Sequence, residues 1–440
     1  SESLVEYLTA AIFHGDVKQA GVLFNGPVAT FPFTDNSGIF IVDADVEQAK
    51  YQFEQSWPAI EKAHLNLNFT NDSMLITAYD GDLMGIQTKD VVVGIESLSG
   101  DSILTVRTPV TTEVTNVTNL MVASPMAESV GETLTLINPK GQVKGTFSLD
   151  LPLGDTEKVV AKGIINFANN EVFLQAPEMN FANVNGQLSF NNELITTKDI
   201  SLDWRGMPIN LNVEGRIEDD YYQVDIDLLA NWQKQHYDPQ IPENLRSYVN
   251  GQLDWQGKLS LFIPENGELS YDFNLDSNLE NAILSLPEPY FKAAEKKALL
   301  KASAKGGANK STIEATLDEN LRFYGELDHQ KIAFLRAQLV LGKEKMLLPT
   351  DGFHITTDLD SIVYQPWHEF IFDIINSIPD GTGADSSSEQ KEEKLAFLQA
   401  PERIRGNIKS VDLFGQTLTN VDFNLLAKEK WWLLQLNAEQ

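Results

Sequence analysis

Apolar and polar residues alternate with a period of two along most of the chain, as they do at Leu269, Tyr271, Phe273 and Leu275. Such alternation gives a segment one hydrophobic face and one polar face, which is typical of a half-buried β-strand. Turn-forming pairs separate the strand-like runs, among them Asn185-Gly186, Arg205-Gly206, Asn250-Gly251 and Phe414-Gly415. The pattern therefore predicts a meander of antiparallel strands.

A helical period interrupts the alternation between Pro366 and Pro379. Apolar residues recur there at helical spacing and form a stripe along a predicted helix over residues 367–378, made of Trp367, Phe370, Ile371, Ile374, Ile375 and Ile378. Residues 380–394 are rich in Gly, Ser and charge, and predict a flexible polar loop. A second short helix is expected at the N-terminus, where Leu4, Leu8, Ala11 and Ile12 share one face.

A hairpin-sized motif occurs twice, as Asn185–Phe190 (NGQLSF) and as Asn250–Trp255 (NGQLDW). Repetition of such a unit is typical of an array that grows in one direction. No long helices alternate with the strands, which excludes the common α/β folds. The sequence therefore predicts an all-β dominated fold, in which a long, twisted, curled antiparallel sheet carries one or two short helices.

Composition limits the possible partners. The 440 residues include 33 basic and 63 acidic side chains, and the net charge of -30 opposes binding to the phosphates of nucleic acid. The chain has no cysteine, which excludes disulfides, thiolate nucleophiles and every cysteine-containing metal site. Hydrophobic residues still make up 42% of the chain, so a folded protein is expected.

The sequence carries no recognisable catalytic site. The six histidines show no metal-ligand spacing and none belongs to a nucleophile motif. Phosphate-binding glycine loops and calcium-binding loops are absent as sequence motifs. We therefore expect no catalytic residue, no metal, no cofactor and no enzymatic activity.

The apolar faces of so many strands must be removed from water, and one or two short helices cannot cover them. Either the sheets stack as a structural or adhesive array of β-sandwiches with dry cores, or one sheet curls into a groove covered by a ligand. An acyl chain matches a long apolar groove. Candidate lining residues are Phe147, Leu149, Leu151, Leu202, Trp204, Ile209, Leu211, Val213, Val224, Ile226, Leu228, Leu259, Leu261, Leu269, Tyr271 and Phe273, with the helix 367–378 as a cover.

Three stretches of sequence resemble the YhdP-type branch of the AsmA-like proteins, bacterial relatives of the bridge-like lipid-transfer proteins. The first runs from Tyr7–Phe13 to Phe31-Pro32-Phe33, the second from Leu253–Leu259 to Leu286–Lys292, and the third from Leu348-Pro349 to Trp367. The sequence departs from the family pattern at Tyr290, where leucine is expected, and in the Asp380–Lys394 insertion.

This resemblance implies a function in lipid transport and a lipid-sized groove in the periplasm, which carries phospholipid between the inner and outer membranes without catalysis. It also implies that the parent protein is anchored in the inner membrane by an N-terminal helix that this sequence lacks. The expected organisation is an elongated β-groove segment over residues 1–379, the loop 380–394, and a continuation of the groove over residues 395–440.

Overall fold

The described residues are mostly β, with twenty-four strands in one sheet and a few short helices. These elements come from a computed structural model that describes residues 9–52, 54–100, 102–155, 158–175, 178–237, 241, 243–264, 268–377, 400–428 and 431–439. The all-β fold class predicted from the alternation is confirmed. The predicted loop 380–394 lies outside the described residues, as do residues 1–8 of the expected N-terminal helix; residues 9–11 are helical.

The first twelve strands are β1 (Ile12–Asn25), β2 (Ile39–Tyr51), β3 (Ile60–Thr70), β4 (Ser73–Leu83), β5 (Ile86–Ile95), β6 (Ile103–Glu113), β7 (Pro139–Lys140), β8 (Gln142–Pro152), β9 (Val160–Gln175), β10 (Glu178–Asn191), β11 (Leu194–Trp204) and β12 (Met207–Ile217). The other twelve are β13 (Tyr221–Gln233), β14 (Val249–Pro264), β15 (Ser270–Ser277), β16 (Ala282–Leu284), β17 (Leu300–Gly307), β18 (Lys310–Leu317), β19 (Leu321–Asp328), β20 (Ala333–Gly342), β21 (Gly352–Val363), β22 (Arg403–Leu413), β23 (Gln416–Lys428) and β24 (Trp431–Glu439).

Besides residues 9–11, four α-helices lie among the described residues: α1 (Val114–Val122), α2 (Glu132–Ile137), α3 (Glu243–Arg246) and α4 (Tyr364–Ser377). The chain divides into two compact units. The first unit comprises Ser1–Leu202 with Asn212–Val224, and the second comprises Asp203–Leu211 with Asp225–Gln440.

In the first unit, β1 to β6 pair in sequence order as an antiparallel meander. A helical insertion made of α1, a π-helical turn over Ala127–Gly131 and α2 then interrupts the meander. Because β8 returns to pair with β6, the sheet continues through β8, β9 and β10 beyond this insertion. The insertion was not predicted from the sequence.

In the second unit, β14, β15, β17, β18, β19 and β20 pair antiparallel in that order. Strands β20, β21 and β22 then run parallel to one another, before β22, β23 and β24 resume antiparallel pairing. Parallel neighbours need a crossover connection. Residues 343–351 supply the first crossover, and the connection between β21 and β22 begins with α4.

Of the four predicted turn pairs, two connect neighbouring strands and two lie within strands. Arg205-Gly206 and Phe414-Gly415 connect neighbouring strands as predicted. Asn185-Gly186 and Asn250-Gly251 were wrongly predicted as turns, since they lie within β10 and β14. The pairing register of β10 shifts next to Gly186, whose φ is 126°, so this glycine forms a bulge and not a chain reversal.

Candidate functional site

An apolar row crosses six neighbouring strands of the first unit. Paired positions on β3, β4, β5, β6, β8 and β9 place the following side chains on one face: Leu67, Ile76, Val93, Val106, Leu149 and Ala161. Leu149 and Ile76 are completely buried, with an exposed fraction of 0%. This part of the apolar face is therefore closed by other protein atoms.

The apolar face of the first unit also borders a small cavity of about 50 Å³. Trp57, from the connection between β2 and β3, and Leu120, from α1, line the cavity together with Phe147 on β8. Trp57 also contacts Phe147 directly, with 5.3 Å between their ring centroids. The helical insertion thus contributes to the apolar lining of the face.

Gly163 makes room for an aromatic contact on the same face. It pairs with Phe147 on one side and with Phe190 on the other, so all three residues lie in one row. A Cβ atom on Gly163 would lie 2.1 Å from Cε1 of Phe190. The absence of a side chain at Gly163 therefore allows the Phe190 ring to lie within 6.5 Å of the Phe147 ring, centroid to centroid.

The second unit carries a longer apolar row, which crosses nine strands from β15 to β24. Its members are Leu275, Ala302, Ala315, Phe323, Leu339, Ile355, Ile404, Leu425 and Leu434. All of them are half-buried except Leu434, which is exposed. Unlike Leu149 in the first unit, these side chains keep part of their surface accessible, so the row can contact an apolar ligand.

The opposite face of the second unit is polar and ion-paired. Lys305 binds Asp272 across neighbouring strands at 2.8 Å, and Asp360 binds Lys409 at 2.6 Å and Lys343 at 3.3 Å. Hydrogen bonds from Lys409 and Lys343 lower the pKa of the Asp360 carboxyl below its ordinary value. A face that carries such ion pairs is suited to contact with water and not with acyl chains.

Helix α4 begins at Tyr364, two residues before Pro366, and not after it as predicted. Proline is accepted in the first helical turn because that turn lacks intrahelical acceptors for its N–H groups. Trp367 packs beside Tyr290 against a cluster that includes Leu341, Leu359 and Ile408.

The predicted stripe of α4 is only partly buried. Phe370 contacts Tyr248 at 4.9 Å between centroids, Ile374 is half-buried and Ile371 is exposed. The side chain of Ile375 and all of Ile378 lie outside the described residues. The role of α4 as a groove cover therefore stays a prediction.

The sixteen predicted lining residues are all buried or half-buried. Those fully buried are Leu149, Leu151, Leu202, Ile209 and Val224, and the other eleven are half-buried. Fifteen lie in strands, whereas Leu269 precedes the first residue of β15. Whether they line a lipid groove stays a prediction.

None of the nine residues of this row is among the sixteen predicted lining residues, and only Leu275 belongs to an alternating run identified from the sequence. Ala302 and Ala315 are small, and Ile355 and Ile404 lie in strands whose alternation was not singled out. A signal for each exists in the apolar–polar alternation of its own strand, but the row itself depends on strand register.

One hydroxyl–imidazole contact resembles part of a catalytic arrangement. The Ser311 hydroxyl lies 2.6 Å from Nε2 of His329, whose Nδ1 is 3.0 Å from the Ala308 carbonyl oxygen. Ser311 is buried, and its hydroxyl also contacts the hydroxyl of Tyr271. The network joins three strand ends and presents no exposed nucleophile, so it supports no catalytic assignment.

The described residues contain no group of three or more His, Asp or Glu side chains placed to hold a metal ion. No helix in the described ranges is long and apolar enough to cross a membrane.

These features define a β-sheet protein with an extended, partly accessible apolar face and a charged opposite face. The chain belongs to the YhdP family, because the family described as YhdP protein matches it over residues 1–440. The resemblance inferred from the sequence is confirmed.

A curated relative is the intermembrane phospholipid transporter YhdP of Escherichia coli (strain K12), which is 27% identical over 308 residues. The match covers 70% of this chain and 24% of the relative, so the chain spans about a quarter of the relative's length. No solved structure matches the chain.

Proposed function

We propose that this chain is part of a bridge-like lipid-transfer protein and that the apolar face of its sheet binds phospholipid acyl chains. The observation that carries the proposal is the nine-strand row from Leu275 to Leu434, which is apolar, in register and only partly buried. A single-chain soluble protein rarely leaves so long an apolar face accessible unless something binds there. The name of the Escherichia coli relative supports phospholipid as the ligand.

The transfer free energy of an acyl chain suits transport of phospholipid better than its storage. Removing a methylene group from water gains about 0.8 kcal/mol, whether the group enters a protein groove or a bilayer. Movement along a continuous row of Leu, Ile, Phe and Ala side chains therefore changes the free energy of an acyl chain little. No covalent step is needed, which agrees with a non-enzymatic role.

We propose a periplasmic location and membrane partners at both ends of the full-length protein. The relative's description as an intermembrane transporter supports this proposal. The net charge of -30 disfavours tight binding to anionic head groups at the membrane surface. Weak binding of the head group suits a transport protein, because the lipid must also dissociate from it.

A dry-core arrangement is the second candidate, and it is favoured by one observation in the first unit. Ile76 and Leu149 are completely buried there by protein atoms. Under this alternative the first unit is a closed structural core, as in a β-sandwich array. The lipid-binding proposal therefore rests mainly on the second unit, together with half-buried candidates such as Leu211 and Ile226.

Mass spectrometry of an organic extract tests the proposal on the purified protein. We expect co-purified phospholipid with the unmodified chain and its loss in Ala315→Asp, which places a charge in the apolar row. Thr316→Asp is the matched control, because this neighbouring residue lies on the polar face and is also half-buried. Absence of lipid from the unmodified chain, or equal lipid in both variants, would contradict the proposal.

A further inference from the structure

A cavity of about 520 Å³ with both polar and apolar lining lies at β22, β23 and β24, and its charged residues on these strands are on the face opposite the apolar row. The residues that line it include Arg403, Arg405, Asn424, Gln435, Glu344 and Asp422, together with the apolar Phe423 and Leu436. The volume falls within the range typical of small-molecule sites, about 300–1,000 Å³. No step of the proposed acyl-chain transfer uses this cavity.

Strand register brings the polar groups of the cavity together. Arg405 pairs with Asn424, which pairs in turn with Gln435 on the next strand. The Asn424 side-chain oxygen accepts a hydrogen bond of 2.8 Å from Nε of Arg403, and its amide nitrogen donates one of 3.0 Å to the Gln435 side chain. Asn424 therefore orients Arg403 and Gln435.

Arg405 differs from its basic neighbours because it makes no hydrogen bond or ion pair within the described part of the chain. On the same face, Arg336 is paired with Glu326 and Lys409 with Asp360. An unpaired arginine is unexpected in a chain with 63 acidic and 33 basic residues. The side chain is thus available to an anion.

Arginines and carboxylates near His354 have opposite electrostatic effects on its imidazole. His354 on β21 pairs with Arg403, and its pKa is lowered first by burial and further by Arg403 and Arg405. Glu402 and Asp351 raise the pKa of His354, so the arginines act against neighbouring carboxylates. Two carboxylates, Glu344 and Asp422, also line the cavity, and Asp422 accepts a hydrogen bond from Asn407.

We propose that this cavity binds a phosphodiester that carries a hydroxyl or ammonium group. Guanidinium groups bind phosphate oxygens through paired, charge-assisted hydrogen bonds. Arg403 and Arg405, two residues apart on one strand, place two such groups about 7 Å apart along the strand. Glu344 and Asp422 disfavour a highly charged anion and accept hydrogen bonds from the hydroxyl or ammonium group. A phospholipid head group and a water-soluble phosphodiester share this chemistry.

Calorimetric titration with glycerophosphoethanolamine tests the inference on the whole chain. We expect saturable binding that weakens at least tenfold in Arg405→Gln and in Arg403→Gln. Lys409→Gln is the matched control, since it removes the same charge from the same strand outside the cavity lining. We expect that its affinity stays within about twofold of the unmodified chain, and thermal unfolding should show that all variants fold.

Two further probes identify the source of the ligand. Inorganic phosphate should bind more weakly than glycerophosphoethanolamine, because it lacks the second group. If the chain binds phosphatidylethanolamine vesicles and this binding depends on Arg405, the ligand is a lipid head group. If the chain binds glycerophosphoethanolamine tightly but does not bind the vesicles, the ligand is a soluble phosphodiester. No binding at millimolar concentration, or equal weakening by Lys409→Gln, would overturn the inference. Loss of extracted lipid in Ala315→Asp reports on the opposite face, whereas glycerophosphoethanolamine binding that depends on Arg405 reports on this cavity, so the two proposals fail independently.

Discussion

The indole nitrogen of Trp367 donates a hydrogen bond of 2.9 Å to the backbone carbonyl of Glu288, a residue 79 positions earlier in the chain. This bond joins α4 to the segment that precedes β17. Tyr290 in the same segment packs its ring against Trp367, with 6.0 Å between the centroids. Trp367 thus joins α4 to the apolar cluster of the second unit.

Removal of this side chain should destabilise the second unit. We expect Trp367→Ala to lower the free energy of unfolding by about 2 kcal/mol, below the values for a fully buried tryptophan because Trp367 is half-buried. Phe372→Ala, on the same helix, serves as the control because Phe372 is 57% exposed. Urea denaturation measures both variants. Equal stability in the two variants would show that α4 is not held by Trp367.

Gly163 should tolerate no side chain. We expect Gly163→Ala to lower the free energy of unfolding by about 1–3 kcal/mol, because the new methyl group would overlap the Phe190 ring. Gly21→Ala in β1 is the control, since a Cβ atom there has no neighbour within 4 Å. Thermal unfolding provides the comparison, and an equally small effect at both glycines would contradict the described position of Phe190.

Alkaline pH should weaken the second unit through its buried tyrosines. Burial raises the pKa of Tyr290 to about 12, and burial with a hydrogen bond to Asp373 raises the pKa of Tyr248 to about 12. Tyrosine in the unfolded chain has a pKa near 10. The unfolded state therefore releases protons first, so this stabilisation is present below pH ~10 and is lost as the pH rises toward ~12.

Urea midpoints measured from pH 8 to pH 12 test this dependence. We expect a shallower decline above pH ~10 in Tyr290→Phe than in the unmodified chain, because phenylalanine cannot ionise. Tyr364→Phe is the control, since the Tyr364 ring lies on the exposed side of α4. Identical pH profiles for Tyr290→Phe and Tyr364→Phe would rule out the proposed contribution of Tyr290.

A buried charge should affect the two units differently. In Leu149→Asp the carboxylate has no access to water, and we expect the loss of about 4 kcal/mol or unfolding of the first unit. In Ile226→Asp the half-buried position lets the carboxylate reach water, so folding should survive while bound lipid is lost. Circular dichroism and lipid analysis of the same samples separate these outcomes. If Ile226→Asp unfolds the protein and the unmodified chain contains no lipid, the alternative of β-sandwiches with dry cores is favoured.

The sequence predicts the type of fold because alternation at positions such as Tyr271 and Phe273 depends only on local strand geometry. It does not predict α1, whose Val and Thr residues are equally common in strands. Its buried positions Val114, Val117 and Leu120 nevertheless recur at intervals of three residues, which is a weak helical signal.

The candidate site was less predictable than the fold. The row through Ala302, Ala315 and Phe323 exists only when the strand registers are known, and register is set by contacts distant in sequence. The cavity at Arg405 likewise requires β22, β23 and β24 to be adjacent. By contrast, the aliphatic and aromatic candidates were buried or half-buried as expected because alternation indicates the face on which each residue lies.

The proposed function requires that phospholipid acyl chains contact the apolar face of the sheet and not the polar face. A photoreactive benzoylphenylalanine in place of Phe273 tests the apolar face, and the same group in place of Asn274 tests the polar face one residue later. After irradiation of cells that make the full-length protein, mass spectrometry should find phospholipid adducts at position 273 and not at position 274. Adducts at both positions in equal amount, or at neither, would contradict a lipid-binding apolar face.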